Sequence, residues 1–179
     1  APFNNPRREE WPLTDVQEIL LIKNGELALK GLNRSTFESV LLKNLRHRLR
    51  PLGDFRLRTA QSTILIEPAS PDIDLEEACA RVSRVFGISA FSRARVAPKS
   101  MDAILAAALP YLESALQAAR TFKVEAKRSD KSFPLTSPQI CRVAGEAILA
   151  RFPHLQVDVH TPELTVWIEI RDFGAYIHG

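Results

Sequence analysis

Hydrophobic positions along this chain recur with a period of two in some stretches and of about 3.6 in others, and the changes of period outline its elements. Residues 1–17 hold no sustained period and are expected to be a flexible lead-in. Between Glu18 and Lys23 lies the run Ile19-Leu20-Leu21-Ile22, short enough for a buried strand. After a segment holding Gly25 and Gly31, Ser35-x-x-Glu38 has the form of a capping box. The helix it opens places Phe37, Val40, Leu41, Leu45 and Leu49 on one face and is stopped by Pro51 and Gly53. Phe55, Leu57 and Thr59 alternate with Arg56 and Arg58, and a second strand runs from Thr63 to Glu67. The short link Ala60-Gln61-Ser62 makes the two a hairpin. A second capping box, Asp74-x-x-Glu77, predicts a helix carrying Ala78, Val82, Val85 and Phe86, with Gly87 as its stop. Ile88 to Val96 reads as a strand with Arg93 and Arg95 on one side. The order β-α-β-β-α-β is that of a ferredoxin-like unit.

The second half has a different rhythm. Met101 to Arg120 is helical in pattern, with Pro110 expected to kink or break it. Thr121 to Lys127 alternates Phe122, Val124 and Ala126 against Lys123, Glu125 and Lys127, a half-buried strand. Ser137 as N-cap and Pro138 at the first helical position predict a helix through Phe152. Strands are expected at 156–160 and 164–171, with a last apolar pair at Tyr176-Ile177. The fold class is therefore α+β, a ferredoxin-like unit packed against a second α/β unit. The seam lies between 68 and 98, and the boundary is set at 75/76.

Composition is ordinary for a globular protein, but charge is not evenly spread. The net charge is only +3, yet residues 18–59 and 91–145 each carry nine Lys or Arg against four acids. Residues 60–90 and 146–179 each carry two against five. Such polarity points to an anionic partner. A membrane span needs roughly 20 apolar residues in a row, and no such run occurs. Cys79 and Cys141 have no CxxC spacing and read as reduced thiols of a cytoplasmic protein. His47, His154, His160 and His178 lack metal-ligand spacing, and neither a GxxxxGK[ST] loop, a GxGxxG turn nor a GxSxG elbow is present. No catalytic, metal or cofactor-binding residue is assigned.

Two segments remain. Lys23 to Arg34 sits at a strand-to-helix junction, where Gly25 and Gly31 allow tight turns beside Lys30 and Arg34. Its amides could face an anion, or the segment could be a plain surface loop. In Phe122 to Pro134, a strand delivers Lys127, Arg128 and Lys131 to a loop that also holds Phe133, with Arg142 a turn into the next helix. Phe133 either stacks on an unpaired base or plugs the core, and the pattern does not choose.

These segments, written here GELALKGLNR and FKVEAKRSDKSFPLTS, resemble the tRNA 4-thiouridine synthetases, or tRNA sulfurtransferases, which also serve thiamine biosynthesis. The resemblance implies an N-terminal ferredoxin-like domain followed by a THUMP domain that dock the tRNA acceptor stem and its 3′ CCA end. It implies phosphate contacts from Lys127, Arg128 and Lys131, with Lys123, Phe133, Pro134 and Arg142 shaping or joining them. Lys30, Asn33 and Arg34 would line the first domain's side of the groove. It further implies a separate PP-loop domain beyond Gly179 that uses ATP, with a sulfur-donor protein as partner of the longer chain. The Lys23-Asn24 pair departs from the Arg-Tyr type common in that family. A protein-interaction or homodimerisation module, with Trp167 on the outer side of its strand, is the competing reading.

Overall fold

A computed structural model describes residues 18–23, 34–60, 63–85, 88 and 90–179. Residues 1–17, Lys30 and Asn33, Gln61-Ser62 and Phe86-Gly87 lie outside the described residues.

The first half is built from β1 (Glu18–Lys23), α1 (Arg34–Leu49), β2 (Phe55–Ala60), β3 (Thr63–Pro68), α2 (Leu75–Val82) and β4 (Ala90–Ala97). The second half adds α3 (Met101–Tyr111), α4 (Glu113–Ala118), β5 (Thr121–Arg128), α5 (Ser137–Arg151), β6 (Gln156–Val157), β7 (Leu164–Arg171) and β8 (Gly174–His178). The eight described strands form one sheet in the order β2-β3-β1-β4-β8-β7-β5-β6. The two halves therefore meet edge to edge. Strand β4 pairs antiparallel with β8, in the register Arg95 to Ile177, Val96 to Tyr176 and Ala97 to Ala175.

Strand alternation decides what covers each face. Leu20, Ile22, Ile64 and Ile66 pack with Leu41, Leu45 and Leu49 of α1 and Ala78 and Val82 of α2. Phe122, Val166, Ile168, Ile170, Ala175 and Ile177 pack with Ile104 and Ala108 of α3, Leu116 of α4 and Ile140, Ala144 and Ile148 of α5. The strand registers place both sets on the same side of the sheet. Hence all five described α-helices lie on one face. Among the described residues no helix covers the other face, yet it buries Ile19, Leu21, Leu65, Ala94 and Tyr176. The sheet curls over that face: Thr63 on β3 reaches Arg171 on β7, and Arg58 on β2 lies over the Phe173 ring in the β7–β8 turn.

Several local expectations are refined. Helix α2 packs its Ala78 and Val82 in the first core, so it sits with residues before the 75/76 boundary rather than after it. Its Asp74 side chain accepts from Glu77 N at 3.1 Å, but the Glu77 carboxylate is taken by Arg81 instead of returning to the cap. The long third helix breaks at Leu112, just after Pro110. The last helix is capped one residue earlier than expected, by Thr136, in a reciprocal box with Gln139. The 156–160 strand is only Gln156–Val157, because Asp158 turns the chain by accepting from the amides of His160 and Thr161. The Tyr176-Ile177 pair is part of a full strand, held by neighbours on both sides. No described helix is long and apolar enough to cross a membrane.

Candidate nucleic-acid interface

The loop after β5 is shaped from within. Arg128 Nη1 donates to the carbonyls of Phe133 at 2.9 Å and Lys131 at 3.4 Å, folding the loop back over the strand end. Asp130 Oδ1 accepts from the Ser132 amide at 3.0 Å and hydroxyl at 2.6 Å, while Oδ2 accepts from Lys99 Nζ at 2.7 Å. The Lys99 and Ser132 hydrogen bonds hold the Asp130 carboxyl well below the usual carboxylate range. Lys99 also donates to the Asp172 carbonyl, so it ties this loop to the β7–β8 turn.

Of the residues singled out from sequence, Lys127, Lys131 and Arg142 are exposed cations. Lys127 lies on the helix-free face, Lys131 in the loop, and Arg142 on the outer side of α5, away from its buried Ile140 and Ala144. Lys123 is paired with Glu125 at 2.7 Å. Arg34 opens α1. The stacking role open to Phe133 is corrected: its ring is 5% exposed and belongs to the second core. The bond from Arg128 to its carbonyl and the turn closed from its amide to Asp130 fold it inward. Trp167 is also corrected. It is half-buried, stacked on His178 at 6.1 Å between centroids and overlaid by Lys23 and Lys127 at 4.9 and 5.6 Å. The interaction-module reading thus loses the exposed aromatic on which it rested.

Sequence reasoning missed what surrounds that tryptophan. Glu169, fully buried, accepts from His178 Nε2 at 3.0 Å and from Arg171 Nη2 at 2.8 Å, with Lys23 Nζ at 4.0 Å. Burial pushes its carboxyl up, but the His178 hydrogen bond and the Arg171 and Lys23 charges outweigh this and hold it at about 2. Arg171 Nη2 also donates to Thr63 Oγ1 at 3.0 Å. The cluster therefore joins β1 and β3 of the first half to β7 and β8 of the second. The one hint in sequence was Thr165, Trp167, Glu169 and Arg171 at alternate positions of a strand whose other residues are aliphatic. Nearby on the same face, Arg56 and Arg58 share Glu67 at 3.9 and 3.7 Å.

The architecture is that of an α+β protein, one curled sheet with its described helices on one face and cations on the open face and the adjoining loop. Residues 19–92 match the ThiI ferredoxin-like domain family and residues 98–178 the THUMP domain family. The chain belongs to these families, as a ThiI ferredoxin-like domain followed by a THUMP domain.

Its relatives include the probable tRNA sulfurtransferases of Thermoanaerobacter pseudethanolicus, 41% identical over 92% of this chain and 42% of the relative, and of Moorella thermoacetica, 42% identical over 89% and 40%. The chain thus spans about two fifths of the length of such relatives. Among solved structures, a 4-thiouridine synthetase–RNA complex with bound ATP superposes with a TM-score of 0.73 at 26% identity, over 91% of this chain and 40% of that one. PH1313 from Pyrococcus horikoshii gives 0.76 at 29% identity, over 90% and 53%.

Proposed function

We propose that this chain is the tRNA-docking part of a tRNA sulfurtransferase that makes 4-thiouridine at position 8, and that it engages the acceptor stem and 3′ CCA end. The observation that carries this reading is the set of exposed cations, Lys127 and Lys131 above all, placed on a preformed strand-to-loop junction. Arg128 and Asp130 fix that junction before any ligand arrives, so less ordering cost falls on binding. Solved 4-thiouridine synthetase bound to RNA has the same fold over most of this chain. Recognition of this kind works through phosphate contacts and nucleic-acid shape rather than base edges. ATP-dependent sulfur transfer would belong to the longer protein, which would also take a sulfur-donor protein as partner.

The test is binding of full-length tRNA, and of tRNA lacking its CCA, over a range of salt. Binding should weaken steeply as salt rises, and loss of CCA should lower affinity. A Lys127→Ala/Lys131→Ala variant should bind both RNAs more weakly while keeping their ratio. Equal affinity of that variant and the parent for tRNA would overturn the assignment.

A further inference from the structure

The outer face of α1 gathers cations with no acid among them. Lys43, Arg46 and His47 stand opposite the buried Leu41, Leu45 and Leu49, and Arg50 follows on the same side where the helix ends. At helical spacing the four fall within about 100° of the circumference. All four side chains are exposed, and none enters an ion pair or a side-chain hydrogen bond among the described residues. Glu38, the one acid of α1, is half-buried and lies toward the core side. Acids of α2 and of the loop before it are turned to other partners. Glu77 is taken by Arg81, Asp72 by Ser70 and Asp74 by the Glu77 amide. Arg81 also donates to the Arg48 carbonyl at 3.1 Å, so α2 brings a cation to this end of α1.

Like charges three or four residues apart on a helix repel, and Lys43 stands so to Arg46 and His47, as Arg46 does to Arg50. The helix dipole favours cations in the last turn. It accounts for Arg46, His47 and Arg50 but does not reach Lys43, more than a turn earlier. Every exposed residue from Lys43 to Arg50 is polar or charged, so the stripe lacks the apolar anchor that centres a protein–protein contact. It runs roughly 10 Å along the axis, the height of about three phosphates on one duplex strand. It also lies apart from the strand-to-loop junction. Helix α1 covers the helix-bearing face of the ferredoxin-like half, whereas Lys127 is on the helix-free face of the THUMP half.

We propose that Lys43, Arg46 and Arg50 on the outer face of α1 form a second backbone contact, which grips a duplex arm of the tRNA other than the acceptor stem. The contact rests on the tRNA-docking reading and goes beyond it. It gives the ferredoxin-like half a ligand of its own and lets the chain tell whole tRNA from an isolated acceptor end.

The test titrates full-length tRNA and an acceptor-stem minihelix against the parent, K43Q/R46Q/R50Q and K127A/K131A as a function of salt. The triple variant should bind full-length tRNA about tenfold more weakly, with a salt slope smaller by about 2 to 3, as for three lost phosphate contacts. It should bind the minihelix as the parent does. K43R/R46K/R50K keeps the charges and should match the parent on both RNAs. The melting temperature of the triple variant should be unchanged or raised, because removing like charges relieves repulsion, so its loss of binding is not unfolding.

Parental affinity of the triple variant for full-length tRNA overturns the proposal and leaves the stripe to an acidic protein partner. An equal loss on both RNAs overturns it too, since the stripe would then lie on the acceptor stem. The reading beneath it is judged separately. If K127A/K131A keeps parental affinity for both RNAs while the triple variant loses affinity for full-length tRNA, the junction assignment fails and the α1 contact stands.

Discussion

Replacing Glu169 with Gln keeps the shape of the side chain and removes its charge, and it tests the buried cluster directly. In the parent the carboxylate is fully buried and held by charge-assisted hydrogen bonds of 2.8 and 3.0 Å. Its pKa lies at about 2, against an ordinary 4.5. A depression of that size corresponds to about 3 kcal/mol of folding stability. Removing one partner of a buried ion pair costs about 3–5 kcal/mol, a range that agrees. Because the folded-state value is the lower one, this stability is fully present above pH 4.5. It is lost as pH falls from 4.5 through about 2.

At pH 7, E169Q should therefore unfold in urea with about 3 kcal/mol less stability and an unchanged m-value. Its Tm should drop by roughly 6–12 °C for a chain of this size. The gap between parent and variant should close as the pH is taken down to about 2. A variant within about 0.5 kcal/mol of the parent at pH 7, the spread of ordinary surface changes, would refute the reasoning. So would parallel losses of stability in parent and variant over the acid range, since both would mean that the carboxylate is solvated and uncoupled from its cations.

Further outcomes follow from other regions of the fold. Phe133→Ala should cost about 3–5 kcal/mol as a core cavity, while the folded variant keeps tRNA affinity within about twofold; a large loss of affinity with little loss of stability would return the ring to a stacking role. Gly53 has φ of +136° and would bring an added Cβ to 3.0 Å from Ile73, so Gly53→Ala should cost about 1–3 kcal/mol by urea unfolding. Asp130 should titrate well below the usual carboxylate range when followed by carboxyl ¹³C shifts. Lys99→Gln should move that midpoint upward, because the Lys99 hydrogen bond is the largest cause of the depression.

Most single elements were legible in the sequence because each carries its own period: the apolar run of β1, the β2–β3 hairpin, and the alternation of β5. What escaped depended on partners far away in the chain. Strand β8 holds five residues and shows only an apolar pair, and it is a strand because β4 and β7 flank it. That the five described α-helices choose one face is set by the β4–β8 register, which no local pattern encodes. For the same reason Glu169 reads as the solvent side of an alternating strand and is in fact buried, covered by the curl of the sheet. Of the candidate site, Lys127 and Lys131 were found as exposed cations. Phe133 stayed open between a stacking role and the core, because the choice is made by the carbonyl contacts of Arg128, which no local pattern shows.

The pairing of β4 with β8 also bears on how the chain can be cut. Cleavage between the two halves would bare an edge of β4 in the ferredoxin-like half and an edge of β8 in the THUMP half, each with unpaired amides and carbonyls. Tyr176 would lose its packing against Ile19 and Leu21 at the same stroke. Open edges of this kind recruit strands from other molecules. The join is thus a seal against self-association as well as a junction, and the two halves are expected to behave well in solution only when they are made as one piece.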